Sequence, residues 1–151
     1  MMKLLITGKG AAGNILNNPD KYPGITHIVS IGTNEWIQKL PNGFDAHPAK
    51  HKLRLEFFDI SIDQRQEMNG PSKKDIIKLV MFFDEALKEK DCSFLIHCFA
   101  GKSRSTAAGL ILLSMFYKDA VRAKKELYAL VPVATPNSRM LKLASEIFKK
   151  E

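Results

Sequence analysis

The run His97-Cys98-Phe99-Ala100-Gly101-Lys102-Ser103-Arg104-Ser105-Thr106 sets a thiol and a guanidinium apart by five residues. Side chains of these types, with glycine between them and hydroxyl residues after, can enclose one anion. The apolar run Cys92-Ser93-Phe94-Leu95-Ile96 predicts a strand leading in. Small and apolar residues from Thr106 to Met115 predict a helix leading out. A loop between strand and helix can turn the backbone N–H groups of Phe99 to Ser103 toward a common point, over the positive end of the helix. Arg104 adds a planar fork that matches two phosphate oxygens. Such a nest favours the thiolate of Cys98, which is the form that attacks phosphorus.

Elements must exist to hold this loop. Leu4–Thr7, His27–Ile31, Leu53–Phe58 and Phe94–His97 read as strands of a largely buried sheet. A long helix is predicted from about Lys73 to Lys90, capped by Ser72 with Asp75 three residues on. Ile76, Ile77, Val80, Met81 and Leu87 mark its apolar face. A third helix follows Asp119, from about Ala120 to Leu130, and a fourth follows Thr135-Pro136. Strands alternate early and helices gather late. The expected fold is therefore α/β: a single compact domain over 1–151, with a central parallel-rich sheet of four to five strands flanked by helices and the Cys98 loop at a strand's carboxyl end.

The whole chain has 151 residues, which suits one domain, and its 45% hydrophobic and 26% charged residues are ordinary for a globular protein. Lys and Arg total 23 against 16 Asp and Glu, and the balance of +7 favours anionic partners or simply keeps the chain in solution. Two cysteines exclude a disulfide framework. Cys92 lies about 20 Å from Cys98 along an extended strand, too far for a bridge, and reads as a packing residue. No apolar run approaches a membrane span and the first residues are too short a run for a signal peptide, so a cytoplasmic location is expected.

The string from His97 to Ser105 resembles the signature of the cysteine-dependent protein tyrosine phosphatases, especially the dual-specificity branch. Ala11-Ala12-Gly13-Asn14, Gly24 to Ile31 and Pro136-Asn137 are similar to the same branch, so the likeness covers most of the chain. It implies a phosphocysteine mechanism with Cys98 as nucleophile and Arg104 holding the phosphate with the amides of Phe99, Ala100, Gly101, Lys102 and Ser103. Ser105 is similar to the family's hydroxyl residue that assists thiolate departure, or is an ordinary helix cap. His97 resembles the histidine that orients and acidifies the nucleophile. It is not expected to be the general acid, because its side chain points the other way along the strand. The family's acid is an aspartate after an upstream strand; Asp59 matches that position and Asp63 is the fallback. The tryptophan-proline-aspartate loop of the larger tyrosine-specific enzymes is absent, as in the smaller branch. Ala100-Gly101-Lys102 partly resembles phosphoinositide phosphatases, or Lys102 is a solvated loop residue.

The resemblance implies no cofactor and no metal in the reaction. It implies phosphorylated proteins, phosphotyrosine above all and also phosphoserine or phosphothreonine, as partners. Phosphoinositides, nucleotides and RNA ends stay open as substrates, as does a phospho-binding module without turnover. No nucleic-acid partner and no membrane span are expected, and a monomer is the default. Trp36 and Phe44 are packing residues or walls of the pocket. Two other motifs fail. A Walker loop through Gly101-Lys102-Ser103 needs glycine where Ile96 stands. Gly8-Lys9-Gly10-Ala11-Ala12-Gly13 spells a dinucleotide fingerprint, but the crossover after it is too short, and its glycines read as a turn.

Overall fold

The computed structural model describes residues 2–62 and 69–149. Strand β4 (Cys92–His97) lies between β1 (Met2–Thr7) and β2 (His27–Gly32), with β3 (His51–Glu56) on the outer edge of β2. All three pairings are parallel, so among the described residues the sheet has four strands in the order β1-β4-β2-β3. A central parallel strand is covered on both faces, and β4 is buried at every position except Ser93.

Alternation along β4 divides the core. Cys92, Phe94, Ile96 and, just beyond the strand, Cys98 face a cluster with Phe83, Ala107, Ala108, Leu112 and Met140. Leu95 faces the other side, with Ala12, Ile15, Leu16, Ile28 and Phe44. Helix α1 (Lys9–Leu16) covers that second face. Helices α2 (Lys73–Ala86), α3 (Arg104–Tyr117) and α5 (Ser138–Lys149) cover the first, and α4 (Ala120–Leu130) packs beside α3. The architecture is the expected α/β domain. Cys92 is the packing residue anticipated, with burial pushing its thiol pKa up.

Several local expectations are corrected. The glycine-rich stretch after β1 is helix α1 and not a turn, because Ala12, Ile15 and Leu16 fall on one face and bury there. Helix α2 stops at Ala86. Beyond Leu87 the chain is polar, and Lys88 and Glu89 tighten onto the carbonyls of Glu85 and Ala86 three residues back. Its buried face is Ile76, Leu79, Phe83 and Ala86; Ile77 and Met81 are exposed, one position off that 3.6-residue stripe. The capping box at Ser72 and Asp75 is present with both bonds formed. Strand β3 starts at His51 and ends at Glu56, because Phe58 N–H turns away to the Asn69 carbonyl. Helix α5 does follow Pro136, and the Asn137 side chain between them accepts the Met140 N–H to cap it. Trp36 does not pack: it is 83% exposed, whereas Phe44 is buried.

Candidate active site

The loop from Cys98 to Ser103 joins the carboxyl end of β4 to the first turn of α3. Two glycines let it fold tightly against the end of β1. Gly101 has φ +77, and a Cβ there would lie 2.5 Å from Gly8 N and 2.7 Å from Thr7 C. A Cβ on Gly8 would meet the Phe99 carbonyl oxygen at 2.9 Å. The Lys9 N–H donates to that same carbonyl at 3.0 Å, so the start of α1 clamps the loop from outside.

Inside the loop, the Gly101 N–H points at Cys98 Sγ from 3.2 Å, and Ser105 Oγ lies 3.1 Å from the sulfur. Among the described residues the N–H groups of Phe99, Ala100, Lys102 and Ser103 have no acceptor. Cys98, Gly101, Arg104 and Ser105 are buried; Phe99, Ala100 and Lys102 are exposed. Arg104 donates from Nη1 to the Phe57 carbonyl at 2.9 Å, while its buried Nε has no partner among the described residues. A guanidinium 4% exposed with an orphan donor is costly unless an anion completes it. One thiol, one buried cation and several unpaired amides meet in one place. That arrangement fits a tetrahedral oxyanion.

His97 does not touch the thiol. It lies opposite Ser30, and Ser30 lies opposite Arg54, in one row across β4, β2 and β3. Nδ1 faces the Cys98 carbonyl at 3.0 Å, so Nδ1 carries the proton, and Nε2 accepts from Ser30 Oγ at 2.7 Å. Arg54 donates to Ser30 Oγ at 2.9 Å and also holds the Thr33 and Gln38 carbonyls. Burial pushes the His97 pKa down to about 4; the Arg54, Lys9 and Arg104 charges act in the same direction, and the bond to the Cys98 carbonyl opposes them. Its neutral ring fixes the main chain of the cysteine. The Arg54 pKa is lowered by burial too, with Glu56 beside it opposing the shift.

Asp59 is exposed at the mouth of the loop. Its Oδ1 accepts from Ser103 Oγ at 2.7 Å and from Asn137 Nδ2 at 2.7 Å. Asn137 also donates to the Ile60 carbonyl at 3.2 Å, and its N–H donates to the Ser103 carbonyl. Asp59, Ser103 and Asn137 thus tie three distant segments together. Asp63 lies outside the described residues. Sequence reasoning missed Arg54, Ser30 and the bonding role of Asn137. Arg54 had left a signal, an arginine between two leucines in a predicted buried strand.

Solved structures share this architecture. Human tyrosine phosphatase-like serine/threonine/tyrosine-interacting protein aligns with a TM-score of 0.71 at 19% identity, over 97% of this chain and 91% of that one. Human DUSP28 aligns with a TM-score of 0.65 at 18% identity, over 98% and 95%. PTPMT1 in complex with PI(5)P aligns with a TM-score of 0.65 at 13% identity, over 98% and 91%. No protein-family model and no curated protein matches the chain. The four parallel strands, the helices on both faces and the alignment over nearly the whole length of each relative lead to one conclusion: the chain has the fold of the dual-specificity branch of the cysteine-dependent protein tyrosine phosphatases.

Proposed function

We propose that the protein is a phosphatase that cleaves phosphate monoesters through a phosphocysteine intermediate, with phosphotyrosine in proteins as the main substrate and phosphoserine or phosphothreonine as further ones. The observation that carries this reading is the environment of Cys98 Sγ, which meets the Gly101 N–H and Ser105 Oγ beside a buried, incompletely paired Arg104. Cys98 attacks phosphorus in line, and its sulfur forms the S–P bond as the ester P–O bond breaks. Arg104 and the amides of the loop hold the equatorial oxygens, whose charge pattern they match better as the transition state is approached. Asp59, anchored through Oδ1, donates a proton from Oδ2 to the leaving oxygen. As a carboxylate it then takes a proton from the water that attacks phosphocysteine, and Ser105 donates to the departing thiolate.

Every group in that cycle belongs to the chain, so turnover is independent of added metal and a chelator leaves kcat unchanged. No helix among the described residues is long and apolar enough to cross a membrane. Assay with a chromogenic aryl phosphate near pH 6 tests the reading. Wild type turns over and Cys98→Ser does not; a wild-type protein that binds vanadate without turnover would instead be a phospho-binding module. A second reading, a phosphoinositide headgroup as the monoester, is favoured by the exposed Lys102 on the loop and by the PI(5)P complex of a protein with this fold. Comparing kcat/KM for a phosphotyrosine peptide and a short-chain phosphoinositide decides between them.

A further inference from the structure

A second group of polar side chains lies at the opposite end of the sheet. His27 opens β2 and His51 opens β3, and the two pair in register with stacked rings 4.5 Å apart. Glu89, in the turn after α2, places Oε1 3.6 Å from His51 Nε2. One donor atom from each of the three residues lies within 4.8 Å of the others. They line a cleft of about 420 Å³ with Leu53, Met81 and Phe82. His27 stands opposite Phe94, four residues before Cys98, which is about 13 Å along the strand direction. The cluster is therefore separate from the phosphate loop.

We propose that His27, His51 and Glu89 bind a first-row divalent transition ion, zinc foremost, as a structural clip joining β2, β3 and the end of α2. Two imidazoles and one carboxylate form a borderline donor set that suits zinc better than calcium or magnesium. His27 has an orienting partner on Nδ1. Thr26 Oγ1 accepts from Ser93 N–H at 3.0 Å and has the Ser93 carbonyl as acceptor at 3.2 Å. With the Thr26 hydroxyl proton on the Ser93 carbonyl, His27 Nδ1, 2.7 Å from that oxygen, donates to it and leaves Nε2 with its lone pair. An orienting bond of this kind is what metal-bound histidines use. Burial keeps His27 below the ordinary imidazole pKa, the His51 charge adds to this, and Glu89 opposes it. His27 is buried, whereas the side chains of His51 and Glu89 are nearly half exposed beside it. Lys78 and Glu85 face the same cleft, and Glu85 is paired with Lys88. Water from the cleft fills the fourth position.

The test uses the full chain, stripped with a chelator and carrying Cys98→Ser, since the wild-type thiol is itself a soft ligand for the probe. Co²⁺ is titrated and visible absorption recorded. One equivalent should give the intense bands of four-coordinate cobalt, and Zn²⁺ should erase them. His51→Ala should abolish the signal while keeping the metal-free melting midpoint, and Glu89→Gln should weaken binding about tenfold or more. Zinc at a hundred times its Kd should raise the midpoint by about 5–10 °C in the parent and leave His51→Ala unmoved. Lowering the pH to 5 should weaken binding, because protons compete with the ion for its ligands. Absence of a one-equivalent band, or its survival in His51→Ala, overturns the proposal. Aryl phosphate turnover is read separately on the wild-type chain, so failure of the metal site and failure of the phosphatase reading are told apart.

Discussion

Asp59 and Asn137 show how one proton donor is positioned from two directions. Ser103 and Asn137 both donate to Oδ1, which leaves Oδ2 to carry the proton in the proposed cycle. Asp59→Ala should lower kcat on a poor leaving group by roughly 10²–10³ and change KM little. Asn137→Ala keeps the carboxyl and its bond from Ser103 but removes the second anchor, and should lower kcat about tenfold with the same bias toward poor leaving groups. It also removes the α5 cap, at a cost of about 1 kcal/mol measured by urea melting. If Asp63→Ala produces the kcat loss and Asp59→Ala does not, the acid is misassigned. Cys98 and Arg104 were legible because they stand with Gly101 and Ser105 in one short run, even though the Arg104 guanidinium reaches back to the Phe57 carbonyl. The Asn137–Asp59 bond spans 78 residues, and only the packing of α5 against the loop creates it.

The elements that hold the loop are β4, α3 and the junction of β1 with α1. The first two were readable from an apolar strand and a helix of small residues, both almost wholly buried. The junction was not, because glycine carries no side chain whose pattern betrays a contact. At Gly101 the φ of +77 and the backbone of Thr7 and Gly8 leave no room for a Cβ, and backbone cannot swing aside as a side chain can. Gly101→Ala should therefore cost about 2–3 kcal/mol in equilibrium unfolding and move the amide that faces the sulfur. Turnover should fall even where the variant is fully folded, as checked by kcat without denaturant at a temperature well below its melting midpoint. Strand ends and the apolar face of α2 were misjudged by one or two residues for a related reason: exposure at Ile77 and Met81 depends on what packs opposite, and that is set by tertiary contacts.

Across the whole molecule, the polar row His97–Ser30–Arg54 links three of the four strands just beneath the loop. Its charges make stability depend on pH in a definable direction. Folded, His97 titrates near 4; unfolded, it returns to 6.5. Between those values the unfolded chain binds the extra proton, so stability rises with pH through the window. The contribution is complete above pH 6.5, declines below it, and is lost as the pH falls through about 4. A depression of this size corresponds to roughly 3 kcal/mol. His27 and His47, both lowered chiefly by burial, act in the same sense, so the wild-type slope alone does not isolate His97. His97→Asn does. The amide can still donate to the Cys98 carbonyl but does not titrate, and the other histidines stay in place. The variant should be less stable than wild type at pH 7.5, and the gap should shrink by about 2–3 kcal/mol as the pH approaches 4, measured by urea unfolding at each pH. A gap that stays constant would show that His97 titrates alike in both states, and hence that the row does not hold its ring neutral.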